Sequence, residues 1–186
     1  MTWLEHGVAN VDWWDTHNGP VLGTNDSPSL YGTATYGDYG VLSNGGTPEP
    51  PAETPFPPYY GLQMLTRLGV AGDQMVAATS SSSLAAVHAV KQASGNLAVL
   101  LINKDPAKSH PVTLDLRGFT PALNPMVYSY GPGSTAISAV RQPDLAGAHV
   151  QRPRRDARTN RSPALLVIVP PSSVVTVVMT PAPDLD

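Results

Sequence analysis

Residues 84–103, LAAVHAVKQASGNLAVLLIN, decide the predicted fold of this chain. Two apolar runs, 84–92 and 97–103, are joined by Ala93-Ser94-Gly95-Asn96, and this arrangement is typical of a β-hairpin. Between residues 112 and 116, apolar and polar residues alternate as in a half-buried strand. Further short strands are predicted at residues 74–79, 126–130, 136–140, 165–169 and 174–179. Several short strands at this spacing predict an antiparallel β-sandwich.

The chain before this region has a different pattern. Residues 2–7 resemble the end of a helix that is closed by Gly7. Residues 8–14 follow as a predicted buried strand, and residues 18–56 as a long irregular loop. Residues 57–69 predict a second helix, because prolines open it, a glycine closes it and apolar residues recur at helical spacing. This order is typical of the end of a β/α repeat, which is too short for a whole barrel.

The composition changes at residues 69–73, and we place a domain boundary there. The predicted fold class is mainly β: an antiparallel β-sandwich, residues 70–186, preceded by a partial (β/α) barrel segment, residues 1–69. The chain of 186 residues is long enough for this arrangement.

Charge and composition limit the classes of function. Charged residues make up 13% of the chain and the net charge is −3, so no strong attraction to nucleic acid or to an anionic membrane is expected. The absence of cysteine excludes disulfides and thiolate chemistry. The low charge and the 16 glycines and 20 prolines are typical of an extracellular, turn-rich β protein. One basic cluster is predicted to be a solvated loop or, alternatively, a binding patch: Arg152, Arg154, Arg155, Arg158 and Arg161.

Four stretches resemble the C-terminal part of clan-A type glycoside hydrolases, which are (β/α)8 barrels followed by a β-sandwich. The enzymes concerned are α-L-arabinofuranosidases and related xylan- or glucan-acting hydrolases. Residues 2–15 resemble the last barrel helix and strand, and residues 57–62 resemble the final barrel helix. Residues 97–105 and 169–177 resemble two strands of the sandwich, the first ending in Ile102-Asn103-Lys104 and the second beginning with Val169-Pro170-Pro171. Residues 141–162 depart from this pattern, because they are longer and more basic than such a connection requires.

This resemblance implies a C-terminal fragment of a secreted, polysaccharide-degrading, retaining glycoside hydrolase. The sandwich would support the catalytic barrel, and the partner would be a plant-type polysaccharide or oligosaccharide, bound through the parent enzyme. An extracellular location is implied, although no signal peptide is visible in this sequence. The oligomeric state stays open. The alternatives are a non-catalytic carbohydrate-binding or adhesive β-sandwich module, and a fragment without independent function.

The resemblance assigns no catalytic residue to this chain. In the family the two catalytic carboxylates follow the fourth and seventh barrel strands, and this sequence resembles only what comes after them. Glu5 falls in the predicted helix and is expected to be an exposed helix residue. Asp12 and Asp15 would point to opposite faces of an extended segment, so a shared acid/base site is not expected. The chain alone is therefore expected to be inactive.

Four residues are candidates for substrate binding: Trp13, Trp14, His17 and Asn18. In a strand the two tryptophans point to opposite sides, and an inward tryptophan can stack on the apolar face of a sugar. The alternative is that both are core residues. His17 and Asn18 would hydrogen-bond a substrate hydroxyl, unless Asn18 only forms a turn with the following glycine.

No metal site and no cofactor is predicted. Asn25, Asp26 and Asp38 carry the oxygen ligands that calcium prefers, but they lack the ordered spacing of a calcium loop. The five histidines lack the spacing of zinc ligands and are expected to be surface or core residues.

Overall fold

The computed structural model describes residues 1–8, 10–17, 40–47, 49–141 and 164–183. Within these residues two helices precede eight strands, and every strand predicted after residue 70 is present, with bounds that differ by no more than three residues. None of the helices in this described part is long and apolar enough to cross a membrane. The elements are α1 (Thr2–Glu5), α2 (Pro57–Leu68), β1 (Gln74–Val76), β2 (Ala85–Lys91), β3 (Leu97–Asn103), β4 (His110–Asp115), β5 (Met126–Tyr130), β6 (Ser138–Arg141), β7 (Ala164–Val169) and β8 (Ser173–Met179).

The strands form two sheets. Six strands are hydrogen-bonded in the order β1-β2-β3-β8-β5-β6, and β4 pairs with β7 in a second sheet. Each of these strand pairs is antiparallel. The mainly β, antiparallel fold class that the sequence predicts is confirmed.

The predicted hairpin of residues 84–103 is formed by β2 and β3 of the larger sheet. Ala85 pairs with Asn103 at one end of β2 and β3, and Lys91 pairs with Leu97 at the other. Gly95 closes the turn with φ +87°, a conformation that favours glycine because no Cβ is present to clash. The turn therefore fixes the register of β2 and β3.

Alternation along the strands gives the larger sheet two apolar faces. On one face Val99 and Leu101 of β3 and Val175 and Val177 of β8 pack against the smaller sheet. The smaller sheet contributes Leu114, Leu165, Val167 and Val169 to the same cluster, together with Leu116 just after β4. These side chains form the main core, with two sheets face to face as in a sandwich.

Helix α2 covers the opposite face of the larger sheet. Leu68 is buried with Val90, Ala98 and Leu100. Tyr60 stacks on Tyr130 with ring centroids 4.8 Å apart, and its hydroxyl donates to the backbone oxygen of Thr135 at 2.7 Å. Burial raises the pKa of the Tyr130 phenol, and the neighbouring Tyr60 raises it further. Helix α2 is thus held by apolar contacts at its end and by aromatic contacts at its start. The division into two domains between residues 69 and 70 stays a prediction.

The N-terminal segment confirms one prediction and corrects another. Helix α1 ends as expected, with Gly7 at φ +83° and Val8 N donating to Trp3 O at 3.1 Å. Residues 8–14, predicted to be a buried strand, form no strand in their described part. Val8, Val11, Trp13 and Trp14 are all exposed. A strand needs neighbours for its backbone hydrogen bonds, and no described strand lies beside this segment.

Candidate functional site

Three short backbone segments, residues 15–17, 41–43 and 53–56, meet beside the exposed tryptophans and form what we call the edge layer. Leu42 N donates to Thr16 O at 2.8 Å, and Leu42 is bridged in parallel to His17 and in antiparallel fashion to Pro55. Phe56 N donates to Val41 O at 3.0 Å on the side of helix α2. The edge layer therefore ties the segment of the candidate site residues to the start of α2.

Ser43 fixes the loop within the edge layer. Its side chain is buried, and Oγ lies 2.9 Å from Glu49 Oε2 and 2.8 Å from Pro50 O. Glu49 Oε2 also accepts a hydrogen bond from Asn44 N at 3.0 Å. Because the carboxylate of Glu49 is used within its own loop, its role is structural.

The ion pair between His17 and Glu53 lies at the surface of this layer. His17 Nε2 is 2.9 Å from Glu53 Oε1, and the two side chains are 41% and 69% exposed. Glu53 has φ +66°, which is uncommon for a residue other than glycine, and Glu53 N donates to Ser43 O at 2.9 Å. The backbone thus holds Glu53 in a costly conformation that brings its carboxylate to the imidazole.

The other predicted site residues lie around this pair or outside the described residues. Trp13 is 52% exposed and Trp14 is 86% exposed in this chain. Their role in sugar binding stays a prediction. The peptide bond between Trp14 and Asp15 is cis. Asp15 Oδ1 is buried without a hydrogen-bond partner among the described residues. Asn18 falls outside these residues, as do Asn25, Asp26, Asp38 and the arginine cluster of residues 152–161.

Asp12 and Glu5, the other acidic residues considered in the sequence analysis, also have side-chain partners. Asn10 Nδ2 donates to Asp12 Oδ1 at 2.8 Å. Glu5 lies in α1 as predicted, but its side chain is only 29% exposed, and its Oε1 lies 2.7 Å from Nδ1 of the buried His88. Glu5 as a whole is an exposed residue of α1, as expected, although the imidazole on β2 covers part of its carboxylate.

Sequence reasoning found neither Glu53 as the partner of His17 nor His88 as the partner of Glu5. Glu53 is 36 residues from His17, in a loop without a recognisable motif. His88 falls in an apolar strand pattern, where its only signal is a polar residue at a position that faces the core. A contact between residues so far apart depends on the folded arrangement of the loop and of the sheet.

A pocket of about 490 Å³ lies between α1, α2 and the larger sheet. Leu65, Leu100, Ile102 and Val174 give it mainly apolar walls, and His88 and Lys104 are its basic groups. Within the described residues no three His, Asp or Glu side chains are grouped so that they would hold a metal ion. The pocket is separate from the edge layer.

Comparison with known proteins gives a likeness of fold. No protein-family model matches the sequence, and no curated protein matches it. The structure is similar to the catalytic domain of the family 30 glycoside hydrolase xylanase C from Talaromyces cellulolyticus, with a TM-score of 0.53 and 20% identity over 76% of this chain. It is also similar to a family 30, subfamily 8 xylanase from Clostridium acetobutylicum, with a TM-score of 0.52 and 15% identity over 69% of this chain.

The chain spans 27% and 29% of the lengths of these two structures. The likeness at this level of identity concerns the fold. The resemblance to clan-A type glycoside hydrolases that the sequence indicates is therefore confirmed for the fold, over part of such an enzyme.

Proposed function

We propose that this chain is the C-terminal part of a polysaccharide-degrading glycoside hydrolase, in which the β-sandwich supports the catalytic barrel. The observation that carries the proposal is the similarity of its fold, over 76% and 69% of the chain, to part of two xylanase structures. In this function Trp13, Trp14, His17 and Asn18 form one wall of the sugar cleft. The parent enzyme would act outside the cell on a plant-type polysaccharide.

Exposed apolar side chains near the N-terminus support the proposal that further polypeptide packs against this segment in the parent enzyme. Trp3, Val8, Val11, Trp13 and Trp14 are large apolar residues that are more than 40% exposed, and all lie within twelve residues of one another. Clusters of this kind mark surfaces that are covered by other polypeptide or by ligand. The preceding β/α units of a barrel would cover them.

The glutamates of this chain support its inactivity when alone. A retaining glycosidase needs two carboxylates about 5 Å apart, one as acid/base and one as nucleophile. The sequence holds three glutamates, and each has a side-chain partner: Glu5 pairs with His88, Glu49 with Ser43, and Glu53 with His17. We expect none of them to serve as the nucleophile.

An activity assay tests this function. The purified chain is incubated with aryl arabinoside, xyloside and glucoside substrates, and its folding is verified by circular dichroism. We expect no release of the aryl group above the rate with buffer. Robust turnover by the folded chain would contradict the proposal that the catalytic carboxylates lie outside it.

A carbohydrate-binding module is the second candidate function, and the exposure of Trp13 and Trp14 favours it. Aromatic faces that are open to solvent can stack on sugar rings. Affinity electrophoresis in gels that contain xylan or cellulose distinguishes the two functions. A module is strongly retarded, and Trp13→Ala or Trp14→Ala abolishes the retardation, whereas one wall of a larger cleft binds polysaccharide weakly and is retarded little.

A further inference from the structure

The His17–Glu53 pair contributes little to the stability of the fold. Both side chains are substantially exposed, and ion pairs at such positions typically contribute about 0 to 1 kcal/mol. Yet Glu53 is held at φ +66°, a conformation that costs about 1 kcal/mol or more for a non-glycine residue. A costly backbone conformation that supports a weak surface contact indicates that the contact has another role.

The surrounding loop determines where the carboxylate of Glu53 lies. Glu53 N donates to Ser43 O, and the next residue, Thr54, donates from Oγ1 to Pro51 O at 2.6 Å. Ser43 N donates in turn to Thr54 O at 2.9 Å. These bonds hold Glu53 from both sides, so its position does not depend on His17.

The chemistry of the contact fixes the state of the imidazole. A carboxylate only accepts hydrogen bonds, so the 2.9 Å contact requires the proton on His17 Nε2. In a neutral imidazole the other nitrogen, Nδ1, is then an acceptor. Nδ1 makes no hydrogen bond within the described residues, and the side chain is open to solvent.

We propose that Glu53 is a positioning residue for His17, which presents Nδ1 as a hydrogen-bond acceptor to a sugar hydroxyl beside the Trp13 and Trp14 rings. This inference rests on the proposed function, because it takes a polysaccharide as the ligand. The recognition is that of a neutral polyol: an acceptor nitrogen for a hydroxyl proton, next to aromatic faces for the sugar ring.

Nuclear magnetic resonance of the full chain tests the positioning without any sugar. At a pH where the imidazole is neutral, the ring ¹⁵N shifts of His17 should show one protonated nitrogen, Nε2, and one unprotonated nitrogen, Nδ1. Glu53→Gln retains an acceptor oxygen and should keep this pattern. Glu53→Ala should move both shifts toward the average of two exchanging tautomers, and unchanged shifts in this variant would overturn the positioning.

Titration with soluble xylo-oligosaccharides tests the ligand. The indole N–H signals of Trp13 and Trp14 report binding, and we expect the dissociation constant to rise about threefold to tenfold in Glu53→Ala, as for the loss of one hydrogen bond. Glu53→Gln should stay close to the wild type. In a His17→Ala background Glu53→Ala should have no further effect, because Glu53 acts through His17.

These experiments test the sugar ligand and the role of Glu53 separately. Wild-type signals that do not respond to oligosaccharide would overturn both the sugar ligand and the site of the proposed function. A response that is equal in the wild type and Glu53→Ala would overturn only the role of Glu53. A further loss of binding on adding Glu53→Ala to His17→Ala would assign Glu53 a role independent of the imidazole and would likewise overturn the positioning.

Discussion

Asn103 connects three parts of the sandwich through one buried amide. Its Nδ2 lies within hydrogen-bond distance of the backbone oxygens of Lys108, Val169 and Pro170, at 2.8, 3.1 and 2.9 Å. Its Oδ1 accepts from Asp105 N at 2.9 Å. The amide thereby holds the end of β3, the loop before β4 and the turn between β7 and β8 together.

Replacing this amide is expected to destabilise the fold. Asn103→Ala leaves buried backbone groups without partners, and we expect the free energy of unfolding to fall by about 3 kcal/mol. Urea unfolding followed by circular dichroism measures the change. Asn96→Ala is the matched control, because its amide makes a single 3.3 Å bond to Gln92 in the hairpin turn. Equal effects of the two substitutions would contradict the role of Asn103.

Asp73 gives the stability a predictable dependence on pH. Hydrogen bonds from Val70 N and then from Ala93 N lower the pKa of its carboxyl below 3.8. Because the pKa of Asp73 is lower in the folded state than in the unfolded state, its carboxyl stabilises the fold at pH values above the unfolded-state pKa. This stabilisation is lost as the pH falls through the folded-state pKa. Asp73→Asn should therefore be less stable than the wild type near neutral pH, and the difference should shrink below pH 3.8.

The urea midpoint as a function of pH measures this difference. Asp115→Asn is the control, because the Asp115 carboxylate is exposed and lies 3.3 Å from Nε of Arg117, which is also exposed. Its stability should follow that of the wild type throughout. A difference between Asp73→Asn and the wild type that is constant with pH would mean that the charge of Asp73 is not responsible.

Gly61 within helix α2 and Gly69 directly after it are expected to respond in opposite directions to alanine. A Cβ on Gly61 meets no atom within 4 Å, whereas a Cβ on Gly69 would lie 2.9 Å from Val90 Cγ1 and 3.2 Å from Asp73 Oδ2. Gly61→Ala should stabilise the fold by about 0.5 to 1 kcal/mol, since alanine favours the helix. Gly69→Ala should destabilise it. Thermal unfolding measures both, and destabilisation by Gly61→Ala would show that this helix position is constrained by more than its local geometry.

Elements that bury one of their faces within the chain were predictable, and an element without such a partner was not. The apolar runs on either side of Gly95 find each other as β2 and β3, so local pattern and final structure agree. Residues 8–14 are equally apolar, and the pattern predicts a buried strand. Their apolar side chains are exposed instead, because the described chain supplies no strand to pair with them. An apolar pattern indicates a need for burial, and the rest of the molecule decides whether that need is met.

At the scale of the whole molecule, the candidate site could be predicted only in part. Trp13, Trp14 and His17 stand out as aromatic and polar residues at the end of an apolar run. Glu53 does not, because its position depends on the hydrogen bonds that Ser43 makes within the edge layer. Sequence spacing cannot bring residues 17 and 53 together, since the loop between them has no regular period.

The attachment of α1 to the sandwich also depends on one distant pair. A helix of four residues is unstable alone, because nucleation costs more than its few hydrogen bonds return. Glu5 accepts a hydrogen bond from Nδ1 of the buried His88 at 2.7 Å, since a carboxylate has no proton to donate. This contact links the first residues of the chain to the centre of β2, beside the pocket under α2.

Glu5→Ala should therefore release α1 while the sandwich stays folded. Losing a hydrogen bond to a charged group should raise the exchange rate of the amides that α1 protects by about tenfold or more. These amides are those of Glu5, His6 and Val8. Hydrogen exchange followed by nuclear magnetic resonance measures these rates, with the amides of β3 as the internal reference. Glu5→Gln retains an acceptor for His88 and should exchange as the wild type does. If exchange at Val8 is equal in all three proteins, α1 is held by its apolar contacts, and Glu5 serves only to accept the hydrogen bond from Nδ1 of the buried His88.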